Sequence, residues 1–368
     1  MKVAISTLHA QHNNFGTVLQ SVALKTYLES KGYDVRTVDY SPWVYKYGIT
    51  DWRSFVKRWA VNLMFAPHFI IRQSRFRRFI KEYNAVTSKR YFSFQELVKD
   101  PPQADIYIAG SDQIWNPRFP CGRDDTFYLK YVDSPNKMSY ASSTGTADLT
   151  SEDYEMLLGK ISEFRFVSVR ELEAKNRLRQ LGRQDVVHVC DPVALLTKEQ
   201  YREMSRTVVK GPYILVYAIN RDPVLAQVVN TLSTATQLQV VAIGGFSKKC
   251  RSDVFLRSCG PREFLGLMNH ATYVVTSSFH GVMFSLIFEK QFFVVEPAIN
   301  KLRLRSILDI TMTGDRVVTD PMDLCDLLEK PIDYGIVQQR FSDFIDSSKR
   351  YLDNCLSYFS GCGGDPIG

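Results

Sequence analysis

The sequence predicts an α/β chain of two domains, each a mostly parallel sheet with crossover helices. Three observations carry this expectation. At 368 residues the chain is longer than a single hydrophobic core ordinarily serves. Strand-like apolar runs alternate with helical patterns along its length, the signature of βα repeats. Segments rich in Gly, Ser, Asp, Arg and His follow directly on several of the strand-like runs, the position at which open α/β sheets hold their ligands.

The first series begins with Val3–Ser6. Apolar Val22, Ala23, Leu24, Tyr27 and Leu28 follow at helical spacing, then the stop Lys31-Gly32-Tyr33 and a strand at Val35–Tyr40. Further strands are expected at Ile106–Ala109, Met138–Ser142, Phe166–Val169 and Val186–Cys190. The second series comprises Tyr213–Ile219, Val240–Ile243, Ala271–Val275 and Phe292–Glu296, with helices near Pro223–Thr236, Pro261–Asn269, Val282–Glu289 and Lys301–Asp309. The pattern places one domain at 1–200 and the other at 211–368, with an insertion at 42–92 and a C-terminal helix with the option of returning to the first domain. No Pro/Gly/Ser-rich linker marks the boundary, so the division rests on the change of series near Leu196 to Gly211.

Composition excludes several classes. With 45% hydrophobic and 23% charged residues the chain reads as an ordinary globular protein. No run approaches the roughly 18 apolar residues of a membrane-spanning helix, and Met1-Lys2 leads straight into a strand, so a cytoplasmic location is expected. The seven cysteines are odd in number and include no CxxC pair, which argues against a disulfide framework and a zinc cage; reduced thiols, no metal and no cofactor are expected. His9 and His12 lack a nearby third ligand in sequence.

The most informative stretch is Thr276-Ser277-Ser278-Phe279-His280-Gly281, between the strand-like run Ala271–Val275 and the helix-like run Val282–Glu289. A strand that delivers hydroxyls, an imidazole and a glycine to a helix N-terminus makes an anion site, because first-turn N–H groups lack intrahelical partners and the helix dipole favours negative charge. A capping serine beside a buried histidine is the simpler alternative. Near the N-terminus, Gly16 in Asn14-Phe15-Gly16-Thr17-Val18-Leu19-Gln20 is expected in a strand-to-helix turn that lets the backbone approach a ligand or a neighbouring strand.

Taken in order, Asn14-Phe15-Gly16 to Gln20, Gly110-Ser111-Asp112-Gln113-Ile114-Trp115-Asn116-Pro117, Ser168-Val169-Arg170-Glu171, Asp191-Pro192, Gly260-Pro261 to Glu263-Phe264 and Ser278-Phe279-His280-Gly281 resemble the polysaccharide pyruvyl transferase family. The resemblance implies two Rossmann-like domains facing a cleft, as in the B-type glycosyltransferases. It also implies transfer of a pyruvyl group from phosphoenolpyruvate to a sugar of a surface polysaccharide or its lipid-linked precursor.

Such a donor carries a phosphate and a carboxylate, so its site needs cations and oriented N–H groups. Arg170 closes the strand Phe166–Val169, and its guanidinium suits a two-bond grip; a surface pair with Glu171 or Glu173 is the alternative. Ser277, Ser278, Gly281, Lys301 and Arg303 complete the expected donor side. Ketal formation needs an acid near the methylene carbon, a base near the sugar hydroxyl and cations on the leaving phosphate. His280 is assigned as general acid or phosphate ligand. Asp112 is assigned as base or hydroxyl anchor, with a turn aspartate bonding its own backbone as the alternative. Asn14, Gly16, Gln20, Ser111, Gln113, Trp115 and Glu296 are expected on the acceptor side or in the cleft, although core packing is the default for a tryptophan. One departure stands out: several better-studied members carry Arg-Leu before the histidine, whereas this chain has Ser278-Phe279, leaving Arg262 or the 301–305 basic cluster to substitute.

Pro42 to Phe92 contains eleven Lys or Arg against two acids, a local charge of +9, with aromatics interleaved. This balance suits an anionic membrane surface and a peripheral location at its inner face. A solvated helical face packed by its aromatics is the alternative, and no nucleic-acid module accompanies the stretch. Two other functions remain open on the same architecture, a nucleotide-sugar-dependent glycosyltransferase and a non-catalytic glycan- or nucleotide-binding protein.

Overall fold

The computed structural model describes residues 1–9, 14–42, 66–145, 149–219, 222–244, 250–296 and 301–364; the side chains of Ala66, Lys301 and Leu302 are outside the description. The chain forms two compact units. One comprises Met1–Thr50, Ile80–Leu195 and Ser342–Gly368; the other comprises Asp51–Phe79 and Leu196–Phe341.

In the first unit, β1 (Lys2–Ser6), α1 (Phe15–Ser30) and β2 (Asp34–Tyr40) precede α2 (Ala66–Tyr83), which runs from the second unit into the first. Then come β3 (Val86–Tyr91), α3 (Phe94–Lys99), β4 (Ile106–Ala109), β5 (Lys137–Ser139), α4 (Ser151–Lys160), β6 (Ser168–Val169), α5 (Leu172–Gln180) and β7 (Val187–His188). Five strands form a parallel sheet in the order β3-β2-β1-β4-β5, and β6-β7 form a parallel pair. Residues 3–6 of β1 are all buried, as expected of a central parallel strand covered on both faces. Helix α1 starts at Asn14, whose side chain accepts from Thr17 N, a cap worth about 1 kcal/mol.

The second unit contains α6 (Lys198–Met204), β8 (Tyr213–Tyr217), α7 (Pro223–Thr236), β9 (Gln239–Ile243), β10 (Val254–Leu256), α8 (Pro261–His270), β11 (Tyr273–Thr276), α9 (Phe279–Ile287), β12 (Gln291–Val294), α10 (Lys301–Thr311), α11 (Leu324–Glu329) and the start of α12 (Tyr334–Phe359). Its sheet is parallel in the order β10-β9-β8-β11-β12. Its core joins Ile214 and Val216 of β8 to Leu225, Val228 and Leu232 of α7 and to Val275 of β11, all essentially without solvent contact. In the first unit, the last part of α12 packs by Ser348 Oγ, which receives Cys190 N at 2.9 Å, and by Tyr358 and Phe359, whose rings each lie 5.2 Å from that of Phe166.

Both sheets reverse their strand order beside the first strand, between β1 and β4 and between β8 and β11. The loops that leave these strands at their carboxyl ends are therefore the expected ligand positions. Two edge strands, β3 and β10, have no counterpart in the sequence reading. β3 is the polar run VTSKRY and β10 has three half-buried residues, because an edge strand can meet solvent and need not be apolar.

Candidate functional site

In the first unit, the carboxyl ends of β1, β4, β5 and β6 converge on one buried polar network. Gly110 permits the approach: a Cβ there would stand 2.8 Å from Thr7 Cβ. Thr7 Oγ1 donates to Ser111 O at 2.8 Å, and Gln20 Nε2 donates to Thr7 Oγ1, Leu8 O and Thr17 O at 3.0–3.1 Å. Asp112 has φ +73°, a left-handed conformation that costs a non-glycine residue about 1–2 kcal/mol and so tends to be kept where geometry matters. Its Oδ2 accepts from Thr17 Oγ1 at 2.5 Å and its Oδ1 from Gln113 N at 2.9 Å. The self-bonding turn and a positioned carboxylate are thus realised together, and each oxygen retains a second lone pair for a ligand.

Arg170 pairs with Glu171, the alternative read from the sequence, but in the interior rather than on the surface. It is 3% exposed, with Nη1 on Asp191 Oδ2 at 2.5 Å and Nε 3.5 Å from Glu171 Oε1. Burial alone would lower its pKa, but Asp191, Glu171 and Asp112 raise it, so the guanidinium is firmly charged. The carboxylates are held in turn: Ser111 Oγ donates to Asp191 Oδ2 at 3.3 Å, Ser143 Oγ to Glu171 Oε1 at 2.5 Å and Thr144 N to Glu171 Oε2 at 3.2 Å. Arg170 therefore ties the ends of β4, β5 and β6 together beside Asp112. His188 Nε2 donates to Arg170 O at 3.1 Å, and burial pushes the pKa of this imidazole down to about 4, keeping it neutral.

Other expectations change as well. Gly16 sits inside the first turn of α1 rather than in the preceding turn, Asn14 is that helix's cap, and Gln20 is fully buried as an internal clamp. Gln113 Oε1 receives Asn116 Nδ2 at 2.8 Å. Trp115 is a core residue: it is 1% exposed, Nε1 donates to Phe127 O at 3.1 Å, and its ring stacks on Tyr128 at 6.1 Å. Its aromatic face is already occupied, so no sugar stacks there.

In the second unit, β11 runs into α9 through Ser277 and Ser278. Thr276 Oγ1 donates to Tyr217 O at 2.6 Å and accepts from Ser278 N at 3.0 Å, linking this turn to the end of β8. Ser277 Oγ accepts from Ile219 N at 3.1 Å. Ser278 is the N-cap but makes no side-chain cap bond, which sets aside the capping-serine alternative. His280 lies in the first turn of α9, 5% exposed, with its ring edge-on to Phe279 at 5.2 Å. A Cβ on Gly281 would stand 2.1 Å from Thr276 Oγ1, so only glycine lets the helix start this close to the strand.

Arg303, on α10, is 7% exposed with its guanidinium carbon 5.8 Å from the centre of the Phe279 ring, a cation–π contact that holds the charge beside the histidine turn. Lys301 opens α10, but its side chain lies outside the description. Glu296, which the sequence left open between reaching a sugar hydroxyl and capping a helix, accepts from Arg305 at 2.9 and 3.3 Å. Arg262 Nη1 donates to Met204 O at 3.4 Å.

The sequence reading missed Thr17 and Thr276 as site residues. Each stands in a quoted motif, but only Thr276 lies beside its partner Ser278, whereas Thr17 meets Asp112 from a distant motif. Asp191, of the quoted Asp191-Pro192 motif, is the main counter-ion of Arg170.

The residues at both sheet ends fall within one sequence family. The sequence model of polysaccharide pyruvyl transferase matches residues 14–298, well over half of the chain. The chain belongs to the polysaccharide pyruvyl transferase family. A comparison with curated protein sequences found no match. Among solved structures, the chain is similar to a Listeria monocytogenes protein assigned as a UDP-N-acetylglucosamine 2-epimerase, at 11% identity, TM-score 0.60 and coverage of 99% of this chain and 98% of that one. It is also similar to the UDP-N-acetylglucosamine 2-epimerase of Rickettsia bellii, at 10% identity, TM-score 0.54 and coverage of 98% and 97%. A third is AviGT4, a glycosyltransferase involved in avilamycin A biosynthesis, at 11% identity, TM-score 0.51 and coverage of 98% of both chains. At these identities the likeness establishes the fold, that of the B-type glycosyltransferases and the 2-epimerases, and leaves activity to the site.

Proposed function

We propose that this pyruvyl transferase family member moves the pyruvyl group of phosphoenolpyruvate onto two hydroxyls of a sugar in a surface polysaccharide or its lipid-linked precursor. The observation that carries the reading is the turn from β11 to α9, where His280 and buried Arg303 stand at a helix N-terminus beside the strand reversal. Helix N–H groups and a guanidinium suit a phosphate or carboxylate, and an imidazole suits proton transfer near neutral pH.

In this reading His280 protonates the methylene carbon of the donor, which becomes a methyl group, and the adjacent carbon becomes cation-like. One sugar hydroxyl attacks that carbon and gives up its proton to a general base. The carbon–oxygen bond to phosphate breaks, Arg303 and the helix N-terminus bear the leaving charge, and the second hydroxyl closes the ketal. Of the two hydroxyl protons, one balances the new methyl hydrogen and the other leaves with phosphate. No cofactor or metal enters the scheme. Purified protein incubated with phosphoenolpyruvate and lipid-linked sugars is expected to release phosphate and add a pyruvate-sized mass to the sugar, with chelator present. Sugar transfer from a nucleotide sugar without phosphate release would instead establish the glycosyltransferase alternative, which Ser278 in place of arginine keeps in play. Binding of either ligand without turnover would mark a non-catalytic protein.

A lipid-linked acceptor places the enzyme at the inner membrane face, and α2 suits that contact. Its outward positions carry Ile70 and Ile71, 63% and 44% exposed, followed by exposed Arg77, Arg78 and Lys81. Arg72 and Arg75 turn inward instead, onto Arg257 O and Ser258 O, so only part of the basic stretch faces outward. Trp43, Trp52, Phe55, Trp59 and Phe65 of the basic stretch lie outside the described residues. Each basic residue at an anionic surface contributes about 1 kcal/mol, so reversing Arg77, Arg78 and Lys81 to glutamate should free the protein from anionic liposomes in co-sedimentation. Wild type remaining in the supernatant would refute this contact. No helix among the described residues is long and apolar enough to cross a membrane.

A further inference from the structure

His9 lies at the carboxyl end of the first unit's sheet, just beyond β1, and is 2% exposed. The segment that carries it is fixed to the network around Ser111: Thr7 Oγ1 donates to Ser111 O at 2.8 Å, and Gln20 Nε2 donates to Leu8 O at 3.0 Å. Asp39 comes to the same place on β2, which runs parallel to β1 with Thr37 opposite Ile5. The His9 ring meets two acceptors. Nε2 stands 3.3 Å from Asp39 Oδ1, and Nδ1 stands 3.4 Å from Thr7 O.

A neutral imidazole carries one ring hydrogen, and a carboxylate is a stronger acceptor than a carbonyl. Asp39 is a carboxylate held in place: its Oδ2 accepts from Arg90 Nε at 2.8 Å, across the β2–β3 register that sets the two residues opposite each other, and its N donates to Thr87 Oγ1 at 3.0 Å. Burial would raise its pKa, but the bonds from His9 and Arg90 hold it below the usual carboxylate range, so the group is charged. The ring hydrogen therefore lies on Nε2 and the lone pair on Nδ1. Among the described residues no donor occupies that lone pair, since Thr7 O is itself an acceptor. A proton taken up at Nδ1 would be received by Thr7 O, and Asp39 would balance the imidazolium. A fixed carboxylate, a ring it orients and a nitrogen left basic are the parts of a general base.

We propose that His9, oriented by Asp39, is the general base for a sugar hydroxyl bound at the carboxyl ends of the first unit's strands. The inference rests on the reading of the protein as a transferase with a hydroxyl acceptor. The O–H bond breaks as the oxygen forms its new bond to carbon; the proton moves to His9 Nδ1 and afterwards departs with the leaving phosphate. Turnover is measured for wild type, His9→Gln, Asp39→Asn and Arg36→Ala with lipid-linked sugars as acceptors and either phosphoenolpyruvate or UDP-N-acetylglucosamine as donor, because an attacking hydroxyl needs a base in both reactions. His9→Gln should lower kcat by about a hundredfold or more and Asp39→Asn by about tenfold or more, with KM within about threefold, since a base acts in the transition state. Arg36→Ala, which removes an exposed side chain paired with Asp34, should stay within about twofold. Nitrogen NMR of the imidazole gives a reading independent of turnover: the neutral wild-type ring carries its hydrogen on Nε2, and Asp39→Asn releases that preference. A folded His9→Gln within about tenfold of wild type overturns the proposal, as does a neutral wild-type ring protonated at Nδ1. If His9→Gln does not fold, Asp39→Asn decides, and undiminished kcat or a loss confined to KM overturns it. Turnover with UDP-N-acetylglucosamine alone would sink the pyruvyl donor while a loss in the two variants still upheld the base; wild type inactive with both donors overturns both.

Discussion

Replacing His280 with alanine is expected to lower the rate of phosphate release from phosphoenolpyruvate by at least a hundredfold while leaving a cooperative thermal transition. The expected loss follows from the usual contribution of a positioned acid or base, about 10²- to 10⁴-fold. The fold should survive because the turn is held by groups other than the imidazole: Thr276 Oγ1 bonds Tyr217 O, Ser278 N bonds Thr276 Oγ1, and Gly281 fits against the threonine. Turnover within about tenfold of wild type, roughly 1.4 kcal/mol of barrier, would remove His280 from proton transfer. An additional loss of donor affinity would assign it to the phosphate as well, since the two roles differ in whether the ground state or only the transition state is affected.

Arg170→Ala should act chiefly on stability. The substitution leaves Asp191 and Glu171, 1% and 2% exposed, without their shared cation. Removing one partner of a buried ion pair costs about 3–5 kcal/mol, so the melting transition of the first unit should fall by roughly 10 °C. Arg170→Met, which fills the volume but not the charge, should fall nearly as far, because the uncompensated carboxylates rather than the lost packing dominate. A variant that melts with wild type yet loses phosphoenolpyruvate affinity would reverse the assignment and return Arg170 to direct donor contact.

The two residues illustrate where sequence reading was sufficient. His280 was legible because the strand, two serines and helix start that carry it lie within a dozen residues. Helix α7 was likewise legible to the residue, since Asp222 caps it, Pro223 opens it and its apolar positions share one face. The pairing of Arg170 with Asp191 was not legible because the two lie twenty-one residues apart and meet only where strand ends converge. Trp115 was misplaced for the same reason, its partners Phe127, Tyr128 and Phe164 being brought in by later segments.

The sequence by itself determined the α/β class, the alternation of strands and helices and the histidine turn, which follow from periodicities and contacts spanning a few residues, while its ordered motifs carried the resemblance to the family. Tertiary structure decided the rest. It put the inner face of α2 on the second unit although its sequence lies between strands of the first, and so divided one basic stretch into Arg72 and Arg75 turned inward and Arg77 and Arg78 turned to solvent. Composition sums such charges over a segment, whereas a helix sorts them by its 3.6-residue period and the surface it packs against, and that surface is set by residues almost two hundred positions further along the chain.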